Sequence, residues 1–317
     1  MFGTLTTAYL FLGGAGAGAL ALVSLVDLVW LKQSFGVTAR VSLDEALPAE
    51  RLVAFTLLAG FAAVVAGVLC LVFDLGRVDR IDVLLANPAP TFLSVGAYVL
   101  VALLTCGAFL AAVRFAYLPA VPRTVIAVVE GVAVVAGCAA MLYTGLLLQS
   151  LGGVAFWQTP LIPVLFVLSS LSCGIAAMLA SARFAGPLDP PVERLVRTLV
   201  RVDLALIVAE ALCAAALVGL SLASSHPAAV TSAESLVAGA QATLWWIGFA
   251  ACGLVVPLAL EVFAMRLPLP PARTVLALAA VFVLVGGFCL RASLVDAGTH
   301  RALELQETPS AHTLRLE

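Results

Sequence analysis

Charge is scarce in this 317-residue chain: only 11% of its residues are Asp, Glu, Lys or Arg, while 63% are hydrophobic. A mean hydropathy of +1.16 lies far outside the range of water-soluble domains. The 16 Lys and Arg form no basic run, which argues against a nucleic-acid partner. Histidine is rarer still. His226, His300 and His312 are the only three, and all fall outside the long apolar runs. A membrane b-type haem takes axial ligands, usually histidines, from facing helices, so a haem-bearing subunit is excluded. The seven cysteines (Cys70, Cys106, Cys138, Cys173, Cys213, Cys252 and Cys289) fall one to an apolar run. Iron–sulfur and zinc spacings are therefore missing, and each cysteine reads as a small apolar packing residue. The protein is expected to hold no metal of its own.

What the sequence has is long apolar segments. About twenty apolar residues cross a bilayer, and eight such stretches run over roughly 5–30, 52–75, 92–114, 124–148, 160–182, 203–223, 241–264 and 274–296. The reading is an all-α membrane protein: one eight-helix transmembrane domain over 1–297 and a polar tail over 298–317. Lys32, Arg40, Arg51, Arg114, Arg123, Arg183, Arg194, Arg197, Arg201, Arg266 and Arg273 follow the odd-numbered helices. The positive-inside rule places that side in the cytoplasm and both termini outside. No Lys or Arg precedes Lys32, so the first segment lacks a signal peptide's charged start and is expected to remain as a helix.

Polar chemistry concentrates near one face. YTGLLLQSLGGVAFWQTPLIP, Tyr143 to Pro163, joins the fourth and fifth apolar runs through an uncharged loop. Trp157 and Tyr143 suit the bilayer interface. Tyr143, Thr144, Gln149 and Gln158 set hydrogen-bonding groups beside apolar surface. That combination suits a long apolar ligand with a polar head, such as a quinone. Gly14 and Gly18 make a GxxxG pair in helix 1, with Tyr9 at that helix's outer end, level with Tyr143. Asp74 ends helix 2, with Arg77 and Arg80 a turn or two beyond. It reads either as part of a solvated acid–base cluster or as a proton acceptor beside a redox ligand.

Buried acids form a second set. Glu130 lies in the inner half of helix 4, about 20 Å along the axis from Tyr143. Asp203 and Glu210 share one face of helix 6. A proton path through Glu130, Asp203 and Glu210 is one reading; acids held neutral or paired within the packing is the other. Asp27, Asp203 and Glu261, at helix ends, are expected to be solvated or paired with arginines. Arg291 would pair with Asp74 or reach headgroups. PLDPPVERLVRTLVRVD, Pro187 to Asp203, reads as an amphipathic lead-in to helix 6, its arginines snorkelling to the surface.

Four stretches in order, YLFLGGAGAG, FDLGRVDR with SVGAYVL, YTGLLLQS with FWQTPLIPVLFVLSSLSCG, and LVGGFCLRASLVDAG, resemble the NrfD/polysulfide-reductase membrane-subunit family. The resemblance spans essentially the whole sequence. It implies eight helices in two four-helix bundles and an integral subunit that exchanges electrons with menaquinone or a related quinone. Its implied partners are a ferredoxin-like iron–sulfur subunit and, through that, a molybdopterin catalytic subunit. The family's quinone head lies near the outer face among the first four helices, touched by the tyrosine that corresponds to Tyr143. Where some members carry a histidine in helix 1 this sequence has Tyr9, and Val78 stands where the family usually has proline.

The expected site is therefore Tyr143 and Asp74 as the reacting groups, with Tyr9, Arg77, Gln149 and Trp157 also around the head group. Tyr143 would stabilise the developing oxyanion, and Asp74 would carry the proton. Residues Gly152 to Thr159 and the Asp74–Arg80 loop would dock the partner on the outer face of a prokaryotic inner membrane. Two other classes compete. A secondary transporter would use the glycines and buried acids at a midplane site, and a passive anchor would bind no quinone.

Overall fold

The computed structural model describes residues 4–31, 47–74, 92–115, 121–150 and 153–299, without the side chains of residues 30, 31 and 92–94. Nine α-helices and no strand occur among them. The helices are α1 (Thr4–Val26, running on into a π turn, Asp27–Leu31), α2 (Pro48–Asp74), α3 (Phe92–Phe115), α4 (Arg123–Gln149), α5 (Leu161–Ala182), α6 (Pro190–Leu222), α7 (Pro227–Val237), α8 (Val256–Met265) and α9 (Leu269–Thr299). A π-helical stretch, Leu244–Val255, leads directly into α8. Among the described residues eight segments are long and apolar enough to cross a membrane, the π stretch with α8 being one of them. The short α7 lies between the sixth and seventh.

Proline sets several of the boundaries. A helix start has no intrahelical partner for its first N–H groups, so proline there removes nothing. It stands at or just before the start of α2, α4, α5, α6 and α7. In the seventh span Pro257 cannot donate to the carbonyl of Gly253, and the wider π winding lies just ahead of it. Between α5 and α6 the backbone turns at Gly186, whose φ of 85° lies in the left-handed region that glycine tolerates. Arg273 of α9 caps this turn, donating to the carbonyls of Gly186 (2.6 Å) and Arg183 (2.9 Å).

The helix α1 is the centre of the packing. It touches α2, α4, α5 and α9, and most of its residues are buried. In lipid there is little hydrophobic drive between helices, so close backbone approach supplies the association. The glycines of α1 serve that approach. A side chain at Gly16 would strike Val64 and Gly60 of α2, and one at Gly18 would strike the backbone of Ser170 on α5. Gly174 of α5 returns the contact against Gly18. The π stretch crosses α9 in the same way, Gly253 lying against Gly286.

Two sequence expectations change here. The lead-in to the sixth span is the span itself: α6 is continuous from Pro190, and Val192, Leu195, Val196, Leu199 and Val200 bury one stripe against the core. Its arginines stay toward the outside, Arg197 pairing with Glu193 at 3.2 Å. The helix-end acids are not solvated. Asp27, Asp203 and Glu261 are 4%, 0% and 1% exposed. The tail beyond Thr299 and the loop carrying Arg77, Val78 and Arg80 lie outside the described residues.

Candidate functional site

The alternating direction of the helices brings the start of α1, the end of α2, the start of α3 and the end of α4 to one end of the molecule. Tyr9, in the second turn of α1, is wholly buried, and Tyr143 of α4 is 5% exposed. The two phenols face each other inside an apolar cluster that includes Leu10, Leu100, Leu148 and Phe166. The Tyr9 hydroxyl meets no donor or acceptor in hydrogen-bond geometry. A buried tyrosine hydroxyl usually finds a partner, and leaving one without costs about 1–3 kcal/mol. Two phenols facing each other among Leu10, Leu100, Leu148 and Phe166 set hydrogen-bonding groups beside apolar surface.

Gly96 makes this arrangement possible. It lies in the first turns of α3, and a methyl group there would fall within the Tyr143 ring. The ring occupies the space where any other residue of α3 would carry its side chain. Asp74 reaches the same end differently. Its Oδ2 accepts a 2.7 Å hydrogen bond from Thr6 Oγ1, three residues before Tyr9, which ties the last residue of α2 to the first turns of α1. Asp74 itself is exposed. Thr144 is engaged within its own helix, donating to the Met141 carbonyl at 2.7 Å. Gln149 is half-buried in the last turn of α4, and Gln158 is exposed on the loop.

Trp157 sits apart from the surface. It is 1% exposed, and its Nε1 donates to the Leu294 carbonyl of α9 at 3.0 Å. Gly298 leaves room for the indole, since a side chain there would meet the ring. With Phe156 also buried and α7 packed over it, the 155–157 turn is a plug between α7 and α9. Gly153, Gln158 and Pro160 are the exposed part of that loop.

A second polar region runs through α5, α6, α8 and α9. Arg291 of α9 is wholly buried and donates to Ser170 Oγ (2.7 Å), Ser169 Oγ (3.2 Å), the Gly287 carbonyl (2.9 Å) and the Leu10 carbonyl (3.2 Å). It pairs neither with Asp74 nor with headgroups: its place is the seam between α1, α5 and α9, and Gly14 gives it room. Glu210 lies beside Ser169. Seven residues earlier on α6, Asp203 faces Ser172 and the Glu261 carboxyl of α8. Both Asp203 oxygens and Glu261 Oε2 are buried without a donor. No ion pair reaches Asp203, Glu210 or Glu261 among the described residues. Two such carboxyls pair when one carries a proton to donate to the other.

Glu130 belongs elsewhere. It faces Asp27, with Arg114 close by, toward the end of α4 opposite Tyr143. The structure thus groups Tyr9, Tyr143 and Asp74 at one end and Asp203 with Glu210 on one face, and leaves Glu130 outside both. Sequence reading missed Gly96, Thr6 and Ser169. Gly96 was visible within SVGAYVL, but only the tertiary contact with Tyr143 gives it meaning. Among the described residues no group of three or more His, Cys, Asp or Glu side chains converges as a metal site.

Residues 1–302 match the family described as polysulphide reductase, NrfD. A polysulfide reductase chain from Wolinella succinogenes is 30% identical over 312 residues, which is 92% of each of the two proteins. A protein NrfD homolog of Haemophilus influenzae is 28% identical over 159 residues, which is 49% of this protein and 48% of that one.

Proposed function

The protein belongs to the NrfD polysulphide reductase family of membrane subunits of redox complexes, and from that premise we propose that it is the quinone-reactive subunit of a respiratory oxidoreductase. The observation that carries the proposal is the buried pair of phenols, Tyr9 facing Tyr143, between apolar walls. A bound quinone, menaquinone or a relative, would supply two-electron, two-proton redox chemistry there.

Tyr143 donates a hydrogen bond to the head-group carbonyl and stabilises the negative charge that develops on that oxygen. Tyr9 holds the head against it and excludes water. Asp74, exposed and held in place by Thr6, exchanges the accompanying proton with solvent. Gln149 lies at the rim of the same end. Electrons pass between the quinone and an iron–sulfur partner, itself serving a molybdopterin-type catalytic subunit, without a haem in this subunit. The partner docks over the exposed loop residues beside α7, on the extracytoplasmic face of a prokaryotic inner membrane. The helices form two four-helix bundles with both termini on that face. Ser169, Glu210 and the Asp203–Glu261 pair favour a proton route through the second bundle, whereas Glu130 with Asp27 stands in the first.

The test is recovery of the native complex in mild detergent, with quinone, iron and molybdenum assayed together. Quinone with redox partners supports the proposal. Partners without quinone would make the protein a passive anchor. A protein recovered alone, with neither, would favour a transporter.

A further inference from the structure

Three arginines from separate parts of the chain gather at the end of the molecule opposite Tyr9 and Tyr143. Their meeting point is the turn between α5 and α6, Arg183 to Gly186. Arg273, in the first turns of α9, donates to the Gly186 carbonyl at 2.6 Å and to the Arg183 carbonyl at 2.9 Å. Arg51, in the first turn of α2, reaches the same place: a side-chain carbon built on Gly186 would lie 3.3 Å from its Nη1. Arg183 itself is exposed at the foot of α5. No carboxylate lies within ion-pair distance of Arg183 or Arg273 among the described residues. The acids nearest in sequence are engaged or stand at the edge. Glu50 Oε2 accepts from the Leu47 N–H at 3.2 Å, Glu193 pairs with Arg197, and Asp189 is exposed at the start of α6.

Like charges repel, so guanidinium groups gathered around one short turn are stabilised by a counter-charge from outside. The surroundings say what supplies it. Phe184 follows Arg183 directly, is 68% exposed, and sets its ring edge-on against Phe55 of α2, one turn beyond Arg51. An exposed phenylalanine at the end of a membrane-spanning helix lies against lipid hydrocarbon, and the arginine beside it reaches the head groups. A phosphodiester at that level meets planar forks that bind phosphate oxygens in pairs. Its acyl chains continue along Phe184 and Phe55. Basic pockets between spanning helices recognise anionic lipid head groups in this way.

We infer that Arg51, Arg183 and Arg273 form a binding site for the head-group phosphate of an anionic phospholipid. The bound lipid fastens α2, α5 and α9 to one another at this end, so it joins an early span to the last one. The site stands apart from the quinone reading, and its test needs no quinol. A ligand that binds only the folded protein raises the melting temperature as its concentration rises, which gives the site a direct readout.

The experiment melts the native complex, washed free of lipid in mild detergent, with short-chain phosphatidylglycerol, phosphatidylcholine of the same chain length, or inorganic phosphate. Phosphatidylglycerol should raise the melting temperature at concentrations where the other two do nothing. Arg183→Gln is the first variant, because the bond at that residue uses its carbonyl, which glutamine keeps. It should raise the half-effect concentration about fivefold, and Arg51→Gln added to it about 25-fold. Arg197→Gln removes a guanidinium already paired with Glu193 and should stay within about twofold of wild type. Phospholipid extracted before washing should be enriched in the anionic class in wild type and lose that enrichment in the double variant. Equal stabilisation by phosphatidylcholine, or an unmoved half-effect concentration in Arg183→Gln, would overturn the site. Inorganic phosphate acting at the same concentration would make it a site for a free anion and overturn the lipid. Absence of both the enrichment and the stabilisation would overturn it as well.

Discussion

Replacing Gly96 by alanine adds one methyl group to a residue with no functional group of its own, and the structure says that this methyl lands in the ring of Tyr143. Relief can come from the ring or from the helices. Turning the ring off its rotamer costs about 0.5–1.5 kcal/mol, and spreading α3 from α4 costs about 1–3 kcal/mol, as overpacked cores do. The cheaper route moves the Tyr143 hydroxyl by an ångström or more. A displacement of that size at a reacting group costs about 100-fold in rate. Gly96→Ala should therefore remain folded, melting only a few degrees lower, while quinol turnover falls about as far as in Tyr143→Phe. The decisive comparison is the double variant. If both changes act through one hydroxyl, the combination is no slower than the worse single change. Wild-type turnover in Gly96→Ala, or losses that multiply in the double variant, would refute the reasoning.

Other consequences follow from single contacts. Arg291→Met removes a buried cation from five acceptors on α1, α5 and α9 and should lower stability by about 3–5 kcal/mol. Arg291→Lys should fall between, and a detergent melting curve for Arg291→Met within about 1 kcal/mol of wild type would contradict this. Trp157→Phe loses the bond to Leu294 and should cost about 1–2 kcal/mol while leaving quinol KM within about twofold. A large KM change would instead put the indole at the quinone. Asp203→Asn keeps a donor toward Glu261 and should preserve the fold, while reducing proton movement across proteoliposomes during quinol turnover. Undiminished proton movement would remove Asp203 from the route.

How far the amino-acid sequence led depends on the range of the interactions involved. The eight apolar spans were legible because hydropathy over about twenty residues is a one-dimensional property. Tyr9 and Tyr143 could be set at one end by counting residues along antiparallel helices. Side-chain environment could not be read in this way. Asp27 and Glu261 stand near helix ends, where solvation is the ordinary expectation, yet each meets an acid from another helix and is buried. Trp157 carried the composition of an interfacial residue, and a pocket opened by Gly298, about 140 residues away, took it inside. Arg291 looked like a residue for headgroups, until two serines of α5 and the backbone of α1 supplied its acceptors. The start of α6 at Pro190 was obscured by its arginines, which interrupt hydropathy but not helical periodicity.

The most direct measurement is quinol titration of the complex carrying Tyr143→Phe, with thermal stability recorded on the same sample. The change removes one oxygen and keeps the ring against Gly96. A quinone held at Tyr143 predicts a folded complex within about 1 kcal/mol of wild type, with turnover lower by about 100-fold. Wild-type turnover in a folded Tyr143→Phe complex would contradict it.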